Sequence, residues 1–192
     1  MKIVKSAVQI LHAPADEQLV DVQPQAGGMR AFVTLKMMTD EGIEGIGVTF
    51  APGLGLSPLA SALGSIVEAL CGLAEGEDPM EIESVMQGLR QKTSGSGPGG
   101  LLTLAISAVD MALWDIKGKA LNQSVCSLLG GYRKRVPTYA SGALMRPMNL
   151  EQLAEIGPAL VAKGFRQMTV SYTHLRANET RHDLVCRLML EK

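Results

Sequence analysis

Few residues of this chain combine a reactive type with a telling spacing. Gly95, Gly97 and Gly100 make a GxGxxG pattern inside SGSGPGG, just ahead of a helix-like run. A helix N-terminus behind such a loop could cradle phosphate. No Lys-Ser/Thr ending follows and no strand clearly precedes it, so a flexible connector is the better reading. His12 has no second histidine or carboxylate at ligand spacing and reads as a polar loop residue. The three cysteines, Cys71, Cys126 and Cys186, are far apart, odd in number and without a CxxC pair. Neither zinc nor a disulfide framework is suggested, and buried free thiols in a reducing cytosol are expected. Asp110 and Asp115 border an apolar helical stripe, where a solvated face and a buried cap or interface role both stay open. Lys117 and Lys119 read as a solvated face. Eleven methionines are explained by core filling.

The element that would position these groups is Leu102 to Leu121. Leu102, Ile106, Val109, Leu113, Ile116 and Ala120 recur at helical spacing over about five turns without proline. Ahead of it, Lys2 to Leu11 and Arg30 to Met38 read as strands. Thr39 to Gly42 is a hairpin turn, and Ile43 to Phe50 is the return strand, which gives a three-stranded antiparallel meander. His12 to Gly28 and Ala51 to Ser57 read as loops. Pro58 to Leu73 and Pro79 to Arg90 read as helices, the second with proline in its first turn. Strands followed by helices argue an α+β domain over residues 1–132. From Arg133 the pattern changes. Val136 to Ser141 is a short strand, Asn149 to Lys163 an Asn-capped helix, and Phe165 starts another strand, together a parallel βαβ unit.

A chain of 192 residues can bury a sizeable core, and 46% hydrophobic with 19% charged residues is a globular composition. The net charge of −1 gives no electrostatic reason to expect nucleic acid or an anionic membrane. No apolar run is long enough to span a bilayer, and MKIVKSAVQIL lacks a signal-peptide core. A cytoplasmic protein is expected.

The run AISAVDMALWDIKGKALNQSVCSLLGG followed by VPTYASG resembles the signature region of the mandelate racemase/muconate lactonizing enzymes, a family of the enolase superfamily. The resemblance implies an enolase-like capping domain and then the start of a (β/α) barrel, with active-site residues at the C-terminal ends of the strands. It implies that Mg²⁺ is held by three carboxylates on successive barrel strands. A base then removes the proton alpha to a substrate carboxylate, and the metal stabilises the enediolate. Two capping-domain loops, His12 to Gly28 and Thr49 to Ser57, would close over substrate. That makes His12, Thr49 and Phe50 candidate substrate contacts, and Ser141, at the end of the first barrel strand, a fourth. Ordinary surface loops and a strand-end hydroxyl bonded to backbone remain open alternatives. A sugar-acid substrate and a homo-oligomeric parent are implied as well.

One departure outweighs the match. The second barrel strand of the family reads Gly-Phe-Arg-x-x-Lys-x-Lys, with the final lysine as base. Here Gly164-Phe-Arg-Gln-Met-Thr169-Val-Ser171 puts Thr169 and Ser171 at the two lysine positions. A hydroxyl without an activating partner is too weak a base to replace lysine. The metal carboxylates would lie on later strands, so no catalytic or metal residue is expected here. The tail SYTHLRANETRHDLVCRLMLEK closely resembles the translation of a DNA sequencing adapter. Residues 133–168 are therefore read as a truncated first βαβ unit and residues 169–192 as a non-native tail. An open βαβ stub leaves strand edges uncovered, which predicts poor solubility. The expected function is that of an inactive N-terminal fragment of an acid-sugar dehydratase. The alternatives are a racemase or cycloisomerase parent, or a non-catalytic capping and interaction module.

Overall fold

The computed structural model describes residues 1–14, 18–22, 28–50, 57–96, 99–144 and 149–170. These divide into two compact units, the first within Met1–Ala15 and Ala26–Arg135, the second within Asp16–Gln25 and Val136–Lys192.

In the first unit, β1 (Ile3–Pro14), β2 (Met29–Thr39) and β3 (Glu44–Thr49) form an antiparallel sheet in the order β1-β2-β3. The expected meander is present. Alternation sets its faces: Ala31, Val33, Leu35, Met37 and Thr39 of β2 are buried, and the residues between them are not. The hairpin turn closes where Thr39 Oγ1 accepts the Ile43 N–H at 3.1 Å, with Gly42 at φ 78°.

Three helices cover the buried face: α1 (Ser57–Ala74), α2 (Ile82–Lys92) and α3 (Gly100–Ala120), followed by the short α4 (Val125–Leu128). The long helix forms where its periodicity predicts, but its innermost line is not the stripe of large residues. Ala105, Ala108 and Ala112 are fully buried alongside Val109, Leu113 and Ile116, whereas Leu102 and Ile106 are only partly buried. Ala108 and Ala112 lie against glycines of β3. A Cβ on Gly45 would stand 2.2 Å from the Ala112 carbonyl oxygen, and one on Gly47 would stand 1.9 Å from that of Ala108. The backbone of α3 thus rests directly on the backbone of β3.

The second unit contains β4 (Ala140–Leu144), α5 (Leu150–Ala162) and β5 (Met168–Val170), with β4 and β5 parallel. Asn149 caps α5 as expected, in a reciprocal box. Its Oδ1 accepts the Gln152 N–H at 2.8 Å, and Gln152 Oε1 accepts the Asn149 N–H at 3.0 Å. Ala140, Leu153, Ile156 and Leu160 form its core, with Leu19, Val20, Phe165 and Met168 packed on it. Lys163 Nζ donates to the Leu19 carbonyl.

Four boundaries differ from expectation. β1 runs on through His12 to Pro14, because β2 begins at Met29 and extends the ladder. α2 starts at Ile82 and not at Pro79. The Asp78 carboxylate takes the Met80 N–H at 2.9 Å and the Asp78 carbonyl takes the Glu81 N–H, so residues 78–81 form a turn. The first parallel strand is Ala140–Leu144 and not Val136 to Ser141, and the second starts at Met168 and not at Phe165. The two strands pair only from Ala140 opposite Met168, which leaves Val136 and Tyr139 exposed. The cysteines are not uniformly buried either: Cys71 is buried and Cys126 exposed, and Cys186 lies outside the described residues.

Substituting Gly47→Ala forces a Cβ into backbone that cannot yield, and is expected to cost about 3 kcal/mol or more in urea unfolding. Gly72→Ala, on α1 with nothing within 4 Å of the added atom, is expected to stabilise by about 0.5–1 kcal/mol through helix propensity alone.

Candidate functional site

The residues expected to meet substrate divide between the two units. His12, Thr49 and Phe50 belong to the first and Ser141 to the second. His12 lies on β1 opposite Ala31, and Thr49 on β3 opposite Val33, so both stand at one end of the sheet. They share the helix-covered face, where Thr49 is buried and His12 exposed. Phe50, one residue on from Thr49, lies on the other face and is 41% exposed. His12 is therefore a strand residue, not the loop residue expected. Ser141 is exposed and sits second in β4, not at the strand's end. Of the two loops expected to close over substrate, residues 15–17, 23–27 and 51–56 lie outside the described residues.

The structure adds two residues to the sheet end that spacing did not single out. The rings of Phe32 and Phe50 have centroids 5.9 Å apart at a tilt of 58°. The Arg30 guanidinium lies 5.6 Å from the Phe50 centroid. Arg30 and Phe32 are two apart on β2 and so share a face, and the β2–β3 register brings Phe50 beside Phe32. That i, i+2 pair was the available signal.

Other charged groups found structural roles. The Asp115 carboxylate accepts the Ile46 N–H at 2.8 Å and Lys119 Nζ at 2.7 Å. Lys119 Nζ also donates to the Glu44 carbonyl at 2.7 Å. Together they cover the outer edge of β3. Lys117 Nζ donates to the Met80 carbonyl at 3.0 Å and lies 5.6 Å from the Trp114 ring centroid. Neither lysine is the merely solvated group expected. The Cys71 thiol is pushed up to about 11 by burial, with Glu68 adding to the rise and a hydrogen bond with Ser6 opposing it. Such a thiol is unreactive near neutrality. Gly97 of the glycine pattern lies outside the described residues, and Gly99 and Gly100 adopt φ 105° and 62°.

Among the described residues no three His, Cys, Asp or Glu side chains come together, so these residues do not fit a magnesium site. Thr169, the first of the two lysine positions, lies exposed in β5. Ser171 and the rest of the tail to Lys192 lie outside the described residues. No helix among the described residues is long and apolar enough to cross a membrane.

The antiparallel meander under three helices defines an enolase-type N-terminal capping domain, and a parallel βαβ unit follows it in the chain. The model of the mandelate racemase/muconate lactonizing enzyme N-terminal domain matches residues 7–130, and the chain belongs to that family of the enolase superfamily. It is 34% identical over 142 residues to a 3,6-anhydro-alpha-L-galactonate cycloisomerase of Streptomyces coelicolor, covering 73% of this chain and 38% of the relative. It is 42% identical over 106 residues to a D-galactonate dehydratase of Xanthomonas axonopodis, covering 55% of this chain and 26% of that protein. A racemase from Streptomyces coelicolor with bound magnesium superposes with a TM-score of 0.73 and 29% identity, over 86% of this chain and 45% of that one. The chain thus spans roughly a quarter to two fifths of the length of these curated relatives.

Asp110 gives a pH test of the helix layer. Burial raises its carboxyl above the ordinary range, Arg90 opposes the rise and Glu83 adds to it. The folded state therefore holds this proton more tightly than the unfolded state. Stability from this group is full below the ordinary carboxylate value and is lost as pH climbs through the raised one. Asp110→Asn is expected to raise the melting temperature at pH 7, with the gain vanishing below about pH 3. Thermal melts across that range check it.

Proposed function

We propose that this chain is the N-terminal portion of a Mg²⁺-dependent enzyme that removes the proton alpha to the carboxylate of a sugar acid, with loss of water as the outcome. We propose also that the chain alone has no turnover. The single observation that carries the reading is β5, a family strand with Thr169 where a lysine stands in the resembled pattern. A proton alpha to a carboxylate needs a base of matched basicity beside it, and an alcohol is none. The dehydratase outcome is supported by the 42% identity to a galactonate dehydratase. Cycloisomerisation is the second reading, favoured by a match that covers more of the chain. Both outcomes share the first proton transfer.

Within this reading His12, Thr49 and Phe50 are the capping-domain contacts to substrate. Arg30 and Phe32 hold the Phe50 ring in place. Ser141 is a further contact from β4. The parent is cytoplasmic and homo-oligomeric.

The test incubates the 192-residue chain with Mg²⁺ and a panel of sugar acids in D₂O, following the alpha-proton by NMR. No exchange above the protein-free blank is expected, and measurable wash-out or turnover would overturn the assignment of inactivity. The assignment of residues 169–192 as non-native stands on their letters, and sequencing the source locus decides it. Lysine codons at positions 169 and 171 are expected. The same tail read from intact genomic DNA would refute it.

A further inference from the structure

Residues 131–139 lie between α4 and β4, and every one of them is exposed. Tyr132, Val136 and Tyr139 stand out at 88%, 69% and 56%. The backbone is as bare as the side chains. The Gly131 N–H donates to the Cys126 carbonyl and the Ala140 N–H to that of Gln167. Between these two anchors, among the described residues, no backbone group from Tyr132 to Tyr139 is hydrogen-bonded. Pro137 has no N–H to give and holds Val136 extended. Within this stretch stand Arg133, Lys134 and Arg135. The Arg133 guanidinium lies 5.3 Å from the Tyr132 ring centroid. Lys134 and Arg135 form no hydrogen bond or ion pair among the described residues.

A protease takes its substrate as an extended, unpaired strand laid along its cleft. Exposed segments without backbone partners meet that need without local unfolding. The other described basic residues do not. Between Lys36 and Arg90 the sequence has neither lysine nor arginine. Lys2 is bonded to Asp40 through its N–H and its carbonyl. Lys5, Arg30 and Lys36 lie in paired strands, and Arg90, Lys92, Lys117 and Lys119 in helices. Around Lys163 and Arg166, the N–H groups of Lys163, Gly164 and Phe165 and the Gln167 carbonyl are all taken. We propose that residues 132–139 are a processing site for a protease of the trypsin class, cut at the Arg135–Val136 bond, and that the nicked chain remains one particle. Hydrolysis adds one water across that amide and leaves a carboxylate on Arg135 and an ammonium on Val136.

A second observation says why the pieces stay together. The larger piece, residues 1–135, carries residues 18–22, which belong to the second unit. Leu19 and Val20 pack on the core made by Ala140, Leu153, Ile156 and Leu160, and Lys163 Nζ donates to the Leu19 carbonyl. Those four core residues and Lys163 all lie on the smaller piece. After the cut the two pieces therefore still share one apolar core, and that core replaces the lost covalent link. The new Arg135 carboxylate and Val136 ammonium form at exposed positions, so neither charge is buried. The core of the first unit draws only on residues of the larger piece and is left whole. The inference does not rest on the catalytic reading.

The test treats the full 192-residue chain briefly with trypsin in native buffer and locates each cut by intact mass. Among the described residues the first cut is expected after Arg135 or its two basic neighbours, at least about tenfold faster than at any other lysine or arginine, since those need local opening. On a sizing column the two pieces are expected to elute together, and to part only in denaturant. Replacing Arg133, Lys134 and Arg135 together by Gln is expected to abolish that cut and no other. Val20→Asp places a charge against the shared core and is expected to release the smaller piece after cutting. Should that variant unfold the second unit before digestion, Lys163→Met, which keeps the packing and deletes one hydrogen bond, is expected to release it faster than the wild type. A first cut elsewhere among the described residues, wild-type pieces that separate in native buffer, or a folded variant whose pieces stay together as firmly as the wild type's would overturn the proposal.

Discussion

The contact on which the first unit depends is between two backbones, not two side chains. Gly45 and Gly47 remove the Cβ atoms that would hold β3 away from α3, and Ala108 and Ala112 are the helix residues they meet. Close-packed interiors leave no room to relax such a contact. At that separation Asp115 and Lys119, on the last turns of the helix, can reach the edge of β3 and take its free N–H and C=O. The steric choice at two positions therefore also decides which sheet edge is sealed.

The same layer fixes the sheet end. With β3 locked to α3 and paired to β2 from Val33 to Met38, the register places Thr49 inward and Phe50 outward. Arg30 and Phe32 reach the Phe50 ring only in that register, since a slip of one residue would send each side chain to the opposite face. The helices stabilise the arrangement of groups at the sheet end without contributing chemistry of their own. Cys71, buried and held protonated, and Asp110, half-buried and resisting ionisation, are titratable groups of the helix layer to which no chemistry is assigned.

Much of this was legible in the letters. The meander, the long helix and the Asn149 cap follow from alternation, helical spacing and one capping residue, and the signature run around Trp114 carried the family. What was hidden depended on partners far along the chain. His12 is a strand residue because β2 starts early enough to pair with it. Residues 136–139 stay unpaired because β5 begins only at Met168. Lys119 looked solvated because one of its acceptors, the Glu44 carbonyl, is brought to it only by tertiary packing, while the other, Asp115, is its neighbour one turn back on the same helix. The alanine line of α3 was overlooked because periodicity draws the eye to large residues. Gly45 and Gly47, two apart on a strand, were the clue that small residues would face them.

Residues 18–22 lie in sequence between two strands of the first unit, yet Leu19 and Val20 pack on the Ala140–Leu160 core of the second. The chain path is thus interleaved, and the segment crosses over and returns before the sheet is complete. Recombination among relatives at a single junction near Arg135 would transplant that segment with the wrong neighbours, leaving one protein's Leu19 and Val20 against another's α5. Successful chimeras in this family should carry a matched exchange at both places, and drift at residues 19 and 20 should be answered by drift at residues 153, 156 and 160.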